Sequence, residues 1–306
     1  MSIPVPATPA IANANDGTAA APYLRTDLNL GSVWQLPASS TGPRGDDETI
    51  LRAVKAAGYR GVQGGDRPIA RRLGLGWTGG GRINAPEDAE RLAIELAAAG
   101  ADAASVHVGW GMESDAEIDR LVEAIIAASV RHGVPIYIET HRATITQDIW
   151  RTVRMVERHP GVRFNADFSH WYTGLEMPYG DIEAKWTFLQ PVFDRVRFMH
   201  GRIGNPSHIQ VLVNEGEAGA AQTFVAHFRE MWTRSFLGFL RTARPGDYIS
   251  FNPELLPASI HYARLFPTAD NGWDEETDRW QQAAVLTRIA RDCFSQAQRR
   301  MVVGAD

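Results

Sequence analysis

The feature that most narrows the choice of fold is a repeated alternation between short β-prone runs and amphipathic helical stretches. Eight β-prone runs can be counted along the chain. They occupy residues 28–34, 59–63, 73–79, 101–109, 135–140, 162–167, 196–201 and 247–254. Such alternation is typical of parallel sheets that are covered by helices.

The segments between these runs carry signals for the start and the end of helices. In residues 114–133, Ser114 can cap the helix, acidic residues fill its first turn and Gly133 ends it. Residues 85–100 repeat this pattern. Eight strand–helix units in 306 residues predict an α/β fold of the (β/α)8 TIM barrel type, with a doubly wound open sheet as the alternative.

The rest of the chain is interpreted around this barrel. Residues 1–22 have no basic start and their apolar residues are interrupted by Pro, Asn and Thr, which favours a flexible tail over a signal peptide. Residues 23–306 then form a single domain with an insertion at about 203–245. The run "GWTGGGR" does not match a dinucleotide fingerprint and is interpreted as a flexible glycine loop.

Composition excludes several classes of function. The formal net charge of −5 provides no basic excess for nucleic acid or an anionic membrane. No apolar run approaches the ~20 residues that a membrane-spanning helix needs. The single cysteine, Cys293, rules out an internal disulfide and a multi-cysteine zinc site. We therefore expect a cytoplasmic protein that binds neither nucleic acid nor membranes.

Polar side chains recur at the ends of the later strands, where TIM barrels carry their active sites. These residues are His107, Glu139, His141, Asp167, His170, His200, Arg202 and Glu254. Taken singly, each could be a hydrogen-bonded structural group. Three carboxylates that converge on one point, however, repel one another unless a cation or protons neutralise them.

A divalent cation is the expected solution. Its predicted ligands are Glu139, Asp167, His200 and Glu254. Three oxygen donors and one nitrogen suit Mn²⁺ first, with Mg²⁺, Co²⁺ and Fe²⁺ as alternatives. His170, three residues after Asp167, is then placed to contact substrate rather than the metal.

With these residues the chain resembles the xylose isomerase-like TIM barrel superfamily, which includes sugar isomerases, ketose 3-epimerases, inosose dehydratases and endonuclease IV. The resemblance covers roughly residues 28–254. It depends on "ILRAVKAAGYRGVQ", "HVG", "IETH", "DFSH", "HGR" and the late "PE". The acidic composition disfavours the nuclease branch.

Two features depart from the family pattern. The interval of 54 residues from His200 to Glu254 is longer than usual, and the extra segment could form a lid or a partner surface. Gln63 stands where the family commonly has a glutamate, which puts any role of that acid in substrate binding in doubt.

The resemblance implies a metal-dependent isomerase or epimerase that acts on an unphosphorylated keto-sugar or a related polyol through an enediolate. In the ketose epimerases, glutamates matching Glu139 and Glu254 flank the reacting carbon, bind the metal and transfer the proton. His141 is either a further proton carrier or a partner of a ligand.

His170 and Arg202 are expected to hold substrate oxygens, although Arg202 could equally form a structural ion pair. The other candidate substrate contacts are His107, Trp34, Trp110, Trp171 and Tyr172. For the aromatic residues, packing in the core or exposure at the rim is the alternative.

Two other functions fit the same residues. One is a lyase with the same metal and bases, either a dehydratase or an oxo-sugar C-glycoside deglycosidase. The other is a non-catalytic sugar-binding or assembly subunit. The helix-like run "FREMWTRSFLGFLR" carries Trp232, Phe236, Phe239 and Leu240, and its length predicts a homo-oligomer or a hetero-subunit assembly.

Overall fold

Eight parallel strands form a barrel in the computed structural model, which describes residues 9–216 and 222–303. The first strand, β1, has two segments that flank Asp27. The strands are β1 (Tyr23–Thr26 and Leu28–Asn29), β2 (Gly61–Gln63), β3 (Gly76–Ile83), β4 (Ala103–Val108), β5 (Ile136–Glu139), β6 (Phe164–Ala166), β7 (Val196–Gly201) and β8 (Asp247–Pro253).

The sheet closes on itself through β1. Each strand from β2 to β7 pairs in parallel with the next strand along the chain. The first segment of β1 pairs with β8, where Tyr23 is opposite Tyr248, and the second pairs with β2, where Leu28 is opposite Val62. This closed order confirms the predicted (β/α)8 TIM barrel.

Helices follow the strands and cover the outside of the barrel. They are α1 (Asp47–Ala56), α2 (Arg67–Arg72), α3 (Pro86–Ala99), α4 (Asp115–His132), α5 (Ile149–Arg158), α6 (Ser169–Gly174), α7 (Ile182–Phe193), α8 (Thr223–Leu240) and α9 (Arg279–Val303). Ser114 caps α4 and Gly133 ends it with a φ of 66°, as predicted. Within the described ranges no helix has the length and apolar character needed to cross a membrane.

The glycine run after residue 75 is a strand rather than the predicted flexible loop. All six residues from Thr78 to Ile83 pair with β4. A Cβ on Gly79 would lie 2.3 Å from a Leu96 methyl carbon, so glycine lets α3 pack directly against the sheet. The run therefore serves the packing of a helix on a strand.

Residues 9–22 are attached to the barrel, whereas the sequence analysis placed them in a flexible tail. Ile11 is buried and its N–H donates to the Gly161 carbonyl at 3.0 Å. The short strand Ala14–Asn15 pairs antiparallel with β8, and Asn13 donates to Asp247 at 2.7 Å. Burial of one apolar side chain and these hydrogen bonds fix the segment. Residues 1–8 lie outside the described part.

The segment predicted as an insertion divides into an irregular stretch and α8. Ile203 and Val213 of the irregular stretch are buried, and the Val213 N–H donates to Gln282 of α9 at 3.0 Å. Residues 217–221 lie outside the described residues. On α8, Trp232 and Phe236 are fully buried within the chain. This aromatic face thus covers the barrel, and assembly into an oligomer remains a prediction.

A buried ion pair holds β1 against β8 inside the barrel. Asp27 is fully buried and accepts from Arg25 Nε at 2.8 Å and from Ser250 Oγ at 2.5 Å. Arg25 also donates to Asp102 at 2.6 Å. This network lies on the amino-terminal side of Asn29, where β1 ends. It is therefore separate from the side chains at the carboxyl ends of the strands.

Candidate active site

Four side chains from the carboxyl ends of neighbouring strands meet at one point. Glu139 is the last residue of β5 and His200 lies in β7, while Asp167 and Glu254 directly follow β6 and β8. One ligand atom of each lies within 4.8 Å of those of the other three. The structure thus brings together the four residues that the sequence predicts as cation ligands.

Neighbouring polar side chains fix the orientation of the two glutamates. Ser105 Oγ donates to Glu139 Oε2 at 3.2 Å. Asn29 Nδ2 donates to Glu254 Oε1 at 2.8 Å. Each of these hydrogen bonds restricts the orientation of its carboxylate.

Gln63 sets the orientation of the His200 ring. The Gln63 Oε1 atom lies 2.7 Å from His200 Nε2 and accepts its N–H. The other ring nitrogen, Nδ1, then lies 3.5 Å from Glu139 Oε2 and 3.4 Å from Glu254 Oε2. A hydrogen bond of this kind on the outer nitrogen is what orients a metal-binding histidine. The residue that departs from the family pattern therefore acts through His200.

The electrostatics of the cluster are dominated by burial and by mutual attraction. Burial opposes ionisation of Glu139, but His200 and His107 outweigh it and hold the pKa of this carboxyl well below its usual value. Burial raises the pKa of Glu254 against the influence of His200. Burial also disfavours the charged form of His200, yet Glu254 and Glu139 raise its pKa to about 9.

The charge balance of the cluster fits a divalent cation. Glu139, Asp167 and Glu254 supply three negative charges, and Arg202 together with protonated His200 supplies two positive ones. One negative charge is then left in a buried site, which is unfavourable. A divalent cation with neutral His200 as a ligand would bring the total to zero, and the donor set suits such an ion.

Arg202 pairs with two of the carboxylates. Its Nη2 lies 2.5 Å from Asp167 Oδ2 and also bonds to Glu254. The guanidinium stacks over the Tyr262 ring, with Cζ 4.5 Å from the ring centroid, and Arg202 is buried. This arrangement matches the ion-pair alternative for Arg202. Contact with a substrate oxygen remains a prediction.

Three histidine rings form a row beside the carboxylates. The ring of His141 lies 4.5 Å from that of His107 and 3.8 Å from that of His170, measured between centroids. His107 Nε2 lies 3.3 Å from Glu139 Oε1. Burial holds the pKa of His170 well below its usual value. Neither ring nitrogen of this buried residue has a hydrogen-bond partner among the described residues, and contact with a substrate remains a prediction.

His141 presents a hydrogen-bond donor to the site. Its Nδ1 accepts the Ala143 backbone N–H at 3.1 Å, so a neutral ring carries its proton on Nε2. Burial lowers the pKa of His141 to about 4, and the ring is neutral at pH 7. Because the acceptor nitrogen is occupied, this geometry favours donation from Nε2 to an oxygen, and a role for His141 as a proton carrier remains a prediction. Together with His107 and Glu139, His141 forms a second group of ligand atoms within 4.8 Å.

Two of the predicted aromatic contacts belong to the core. Trp171 is fully buried and its Nε1–H donates to the Thr146 carbonyl at 2.7 Å. Tyr172 is also buried and its hydroxyl bonds to His227 at 2.7 Å. Their polar atoms are satisfied within the protein, so the packing alternative describes them better than stacking on a substrate.

The other two aromatic residues lie at the rim. Trp110 is 54% exposed, and Arg82 stacks over its ring with Cζ 3.8 Å from the centroid. Trp34 is 47% exposed and lines a cavity beside the four-residue cluster. Their large accessible faces leave both free to contact a bound molecule.

Polar residues that were not predicted from the sequence support the cluster. Asn165 in β6 donates through Nδ2 to Ser105 Oγ at 2.7 Å, and its Oδ1 accepts from the backbone N–H of His200 at 3.0 Å. Ser105 and Asn29 bond to the glutamates. A polar residue inside an otherwise apolar strand, as in "AASVHV" and "FNA", is the signal that could have revealed Ser105 and Asn165.

Comparison with known proteins gives a similarity in structure. No family model matches the sequence, and no curated protein is significantly similar to it. A xylose isomerase-like TIM barrel protein from Mycobacterium smegmatis, in complex with magnesium, aligns with 12% identity and a TM-score of 0.50. The alignment covers 91% of this chain and 98% of that chain.

Two further solved structures are also similar. A xylose isomerase domain protein from Planctomyces limnophilus aligns with 12% identity and a TM-score of 0.49, over 90% of this chain and 99% of that chain. The probable 3-DHS dehydratase AsbF from Bacillus anthracis aligns with 18% identity and a TM-score of 0.44, over 60% of this chain and 74% of that chain. Together with the closed barrel, the alignment shows that this chain has the same TIM barrel fold as the xylose isomerase-like protein from M. smegmatis.

Proposed function

We propose that this protein is a divalent-cation-dependent isomerase or epimerase of an unphosphorylated keto-sugar or a related polyol. The observation that carries the proposal is the convergence of Glu139, Asp167, His200 and Glu254 at the carboxyl ends of four neighbouring strands. The magnesium in the M. smegmatis structure of the same fold supports a divalent cation here. Mn²⁺ suits the mixed oxygen and nitrogen donors best.

The cation, when bound, supplies a Lewis acid that makes the C–H bond beside a substrate carbonyl more acidic. Glu139 and Glu254 are the groups that remove this proton and return it. Both lie close to His200 Nδ1, at 3.5 and 3.4 Å, so the two carboxylates approach the same point from different strands. Such an arrangement can serve both faces of one carbon.

Three neutral or cationic groups are assigned to the substrate oxygens. His141 donates through Nε2, because its Nδ1 accepts from the backbone. His170 has two ring nitrogens without a partner among the described residues and lies beside Asp167, with Nε2 3.6 Å from Oδ2. Arg202 pairs with Asp167 and Glu254, and its Nη1, which has no partner among the described residues, is assigned to a substrate oxygen.

Exchange of substrate hydrogen tests this function directly. Chelated protein, Mn²⁺-loaded protein and two variants are incubated with unphosphorylated ketoses in deuterated water, and carbon-bound deuterium is measured by NMR. Loaded protein should incorporate deuterium and interconvert an epimer or isomer pair. Glu139→Gln should lower the rate by about 10²–10⁴-fold, as expected for loss of general acid–base catalysis. Glu95→Gln, an exposed change on α3, should match wild type.

The products distinguish the proposed reaction from its alternatives. Release of water or of a fragment without interconversion would identify a lyase. Absence of exchange with every ketose in the presence of bound cation would favour a non-catalytic sugar-binding subunit. If the Glu139→Gln variant exchanged hydrogen at the wild-type rate, Glu139 would not be a group that transfers the proton.

A further inference from the structure

A cavity of about 750 Å³ opens beside the four-residue cluster. Asn29 and Gln63 line the cavity where it meets the cluster. Asn29 donates to Glu254 at 2.8 Å, and Gln63 accepts from His200 at 2.7 Å. The side chains of Asn29 and Gln63, which also bond to each other at 3.1 Å, therefore stand between the cavity and the predicted ligands, so a molecule bound in the cavity lies one side chain away from the cluster.

The wall of this cavity is mainly apolar. The turn after β1 contributes Leu30, Val33 and Trp34, and the following segment contributes Leu36. Ile50 of α1 completes the wall. Apart from buried Val33, these side chains are partly exposed. An apolar surface held open next to a polar cluster is the usual form of a site for a ligand with one apolar end.

The volume exceeds what a single sugar needs. At about 30 Å³ for each water molecule, the cavity has room for roughly 25 waters, about twice the number of non-hydrogen atoms in a hexose. A hexose that also occupied the cluster would fill only part of this space. A substrate with an additional group would fill both the cluster and the cavity.

Hydrogen bonds hold the wall in place. Arg279 of α9 is fully buried and donates to the carbonyls of Gly31 at 3.0 Å and of Trp34 and Gln35 at 2.9 Å. Its Nε also donates to Glu275 at 2.7 Å. A fixed backbone means that little ordering is needed on binding, which favours affinity.

The charges around the cavity disfavour an anionic group. Arg44 is the cation among the lining residues that the structure describes, and both of its Nη atoms donate to backbone carbonyls, of Ser40 and Pro37. Asp47 and Asp66 also line the cavity. A phosphate would meet two carboxylates and an already engaged guanidinium.

We infer that this cavity is a subsite for an uncharged aromatic or alicyclic ring that is attached to the sugar or polyol part of the substrate. The inference rests on the proposed function, because the polar part of the same molecule is assigned to the four-residue cluster. It narrows the substrate class from free sugars to sugars or polyols that carry an apolar ring.

Calorimetric titration of the full-length, Mn²⁺-loaded protein tests the subsite with three probes. They are phenyl β-D-glucoside, methyl β-D-glucoside and phenyl phosphate. The phenyl glucoside should bind at least about tenfold more tightly than either control, with a Kd below ~1 mM. Trp34→Ala and Ile50→Asp should each remove most of that advantage and leave binding of the methyl glucoside unchanged. Trp150→Ala, on the exposed face of α5, should bind all three probes as wild type does.

Several results would overturn the subsite. These are equal binding of the phenyl and methyl glucosides, tighter binding of phenyl phosphate, no binding of the phenyl glucoside at millimolar concentration, and an unchanged advantage in both wall variants. The proposed function fails separately. If the protein prefers the phenyl glucoside but exchanges no ketose hydrogen, the subsite is supported and the isomerase activity is refuted. If it exchanges ketose hydrogen but shows no phenyl preference, the isomerase activity is supported and the subsite is refuted.

Discussion

Arg202 forms an ion pair with Asp167 inside the candidate cation site, where Nη2 of Arg202 lies 2.5 Å from Oδ2 of Asp167. The same nitrogen bonds to Glu254. Arg202 is therefore part of the charge balance of the cluster, and its removal should expose the repulsion among the carboxylates.

Arg202→Met should destabilise the chelated protein by about 3–5 kcal/mol, since it leaves buried carboxylates without their partner. Added Mn²⁺ should raise the Tm of this variant by more than it raises the Tm of wild type, because the cation then replaces more of the missing positive charge. Thermal unfolding with and without Mn²⁺ measures both effects. A variant as stable as wild type without metal would contradict the assigned ion pair.

Gln63→Ala should weaken cation binding by about 10–100-fold, because the His200 ring loses the hydrogen bond that orients it. Titration of chelated protein with Mn²⁺ measures the affinity. Gln281→Ala, an exposed change on α9, serves as the control and should leave the affinity unchanged. Equal affinities in Gln63→Ala and wild type would show that Gln63 has no such role.

His200→Ala and His170→Ala should have different effects on the cation. The first removes a predicted ligand, so the rise in Tm that Mn²⁺ produces should be largely lost. The second removes a ring that lies beside Asp167 but is assigned to the substrate, so the rise should persist while turnover falls. Equal loss of the Tm rise in both variants would mean that the ligands and the substrate contacts are assigned wrongly.

Asp27→Ala should lower stability without affecting the site. It would leave the buried Arg25 guanidinium without its fully buried partner, which should cost about 3–5 kcal/mol in the free energy of unfolding. Urea denaturation measures this loss. Mn²⁺ affinity, measured in the absence of denaturant, should stay within about twofold of wild type because the pair lies away from the cluster.

Cys293 should be unreactive in the folded protein. Burial raises the pKa of this thiol to about 11, so it stays protonated and inaccessible at pH 8. In the unfolded chain the pKa of a thiol is about 8.5. The buried, protonated thiol therefore contributes fully to the stability of the folded protein below about pH 8.5, and this contribution is lost as the pH rises through about 11. Reaction with a thiol reagent should require unfolding. Rapid modification of native protein at pH 8 would contradict the burial of Cys293.

The convergence of the four polar residues could be predicted from the sequence because the carboxyl ends of parallel strands share one side of a barrel. Glu139, Asp167, His200 and Glu254 each lie within one residue of the end of a strand that was visible as a β-prone run. One strand–helix unit lies between each of these residues and the next, so the barrel places them side by side even where the loops differ in length.

The contacts that depend on tertiary packing could not be predicted in this way. Trp171 directly follows His170 after the end of β6, yet its ring packs in the core and its Nε1–H donates to the Thr146 carbonyl. The role of Gln63 depends on the orientation of a ring in β7. The cavity wall is fixed by Arg279, which is 245 residues from Trp34 along the chain. No local pattern reports such contacts.

The central claim is that Glu139, Asp167, His200 and Glu254 bind one divalent cation. Anomalous diffraction from a crystal of the protein soaked in Mn²⁺ tests it most directly. The account predicts one strong anomalous peak between these four side chains, with oxygen and nitrogen ligands at roughly 2.0–2.3 Å. A map with no peak there, while the crystal diffracts and the four side chains are clear, would contradict it.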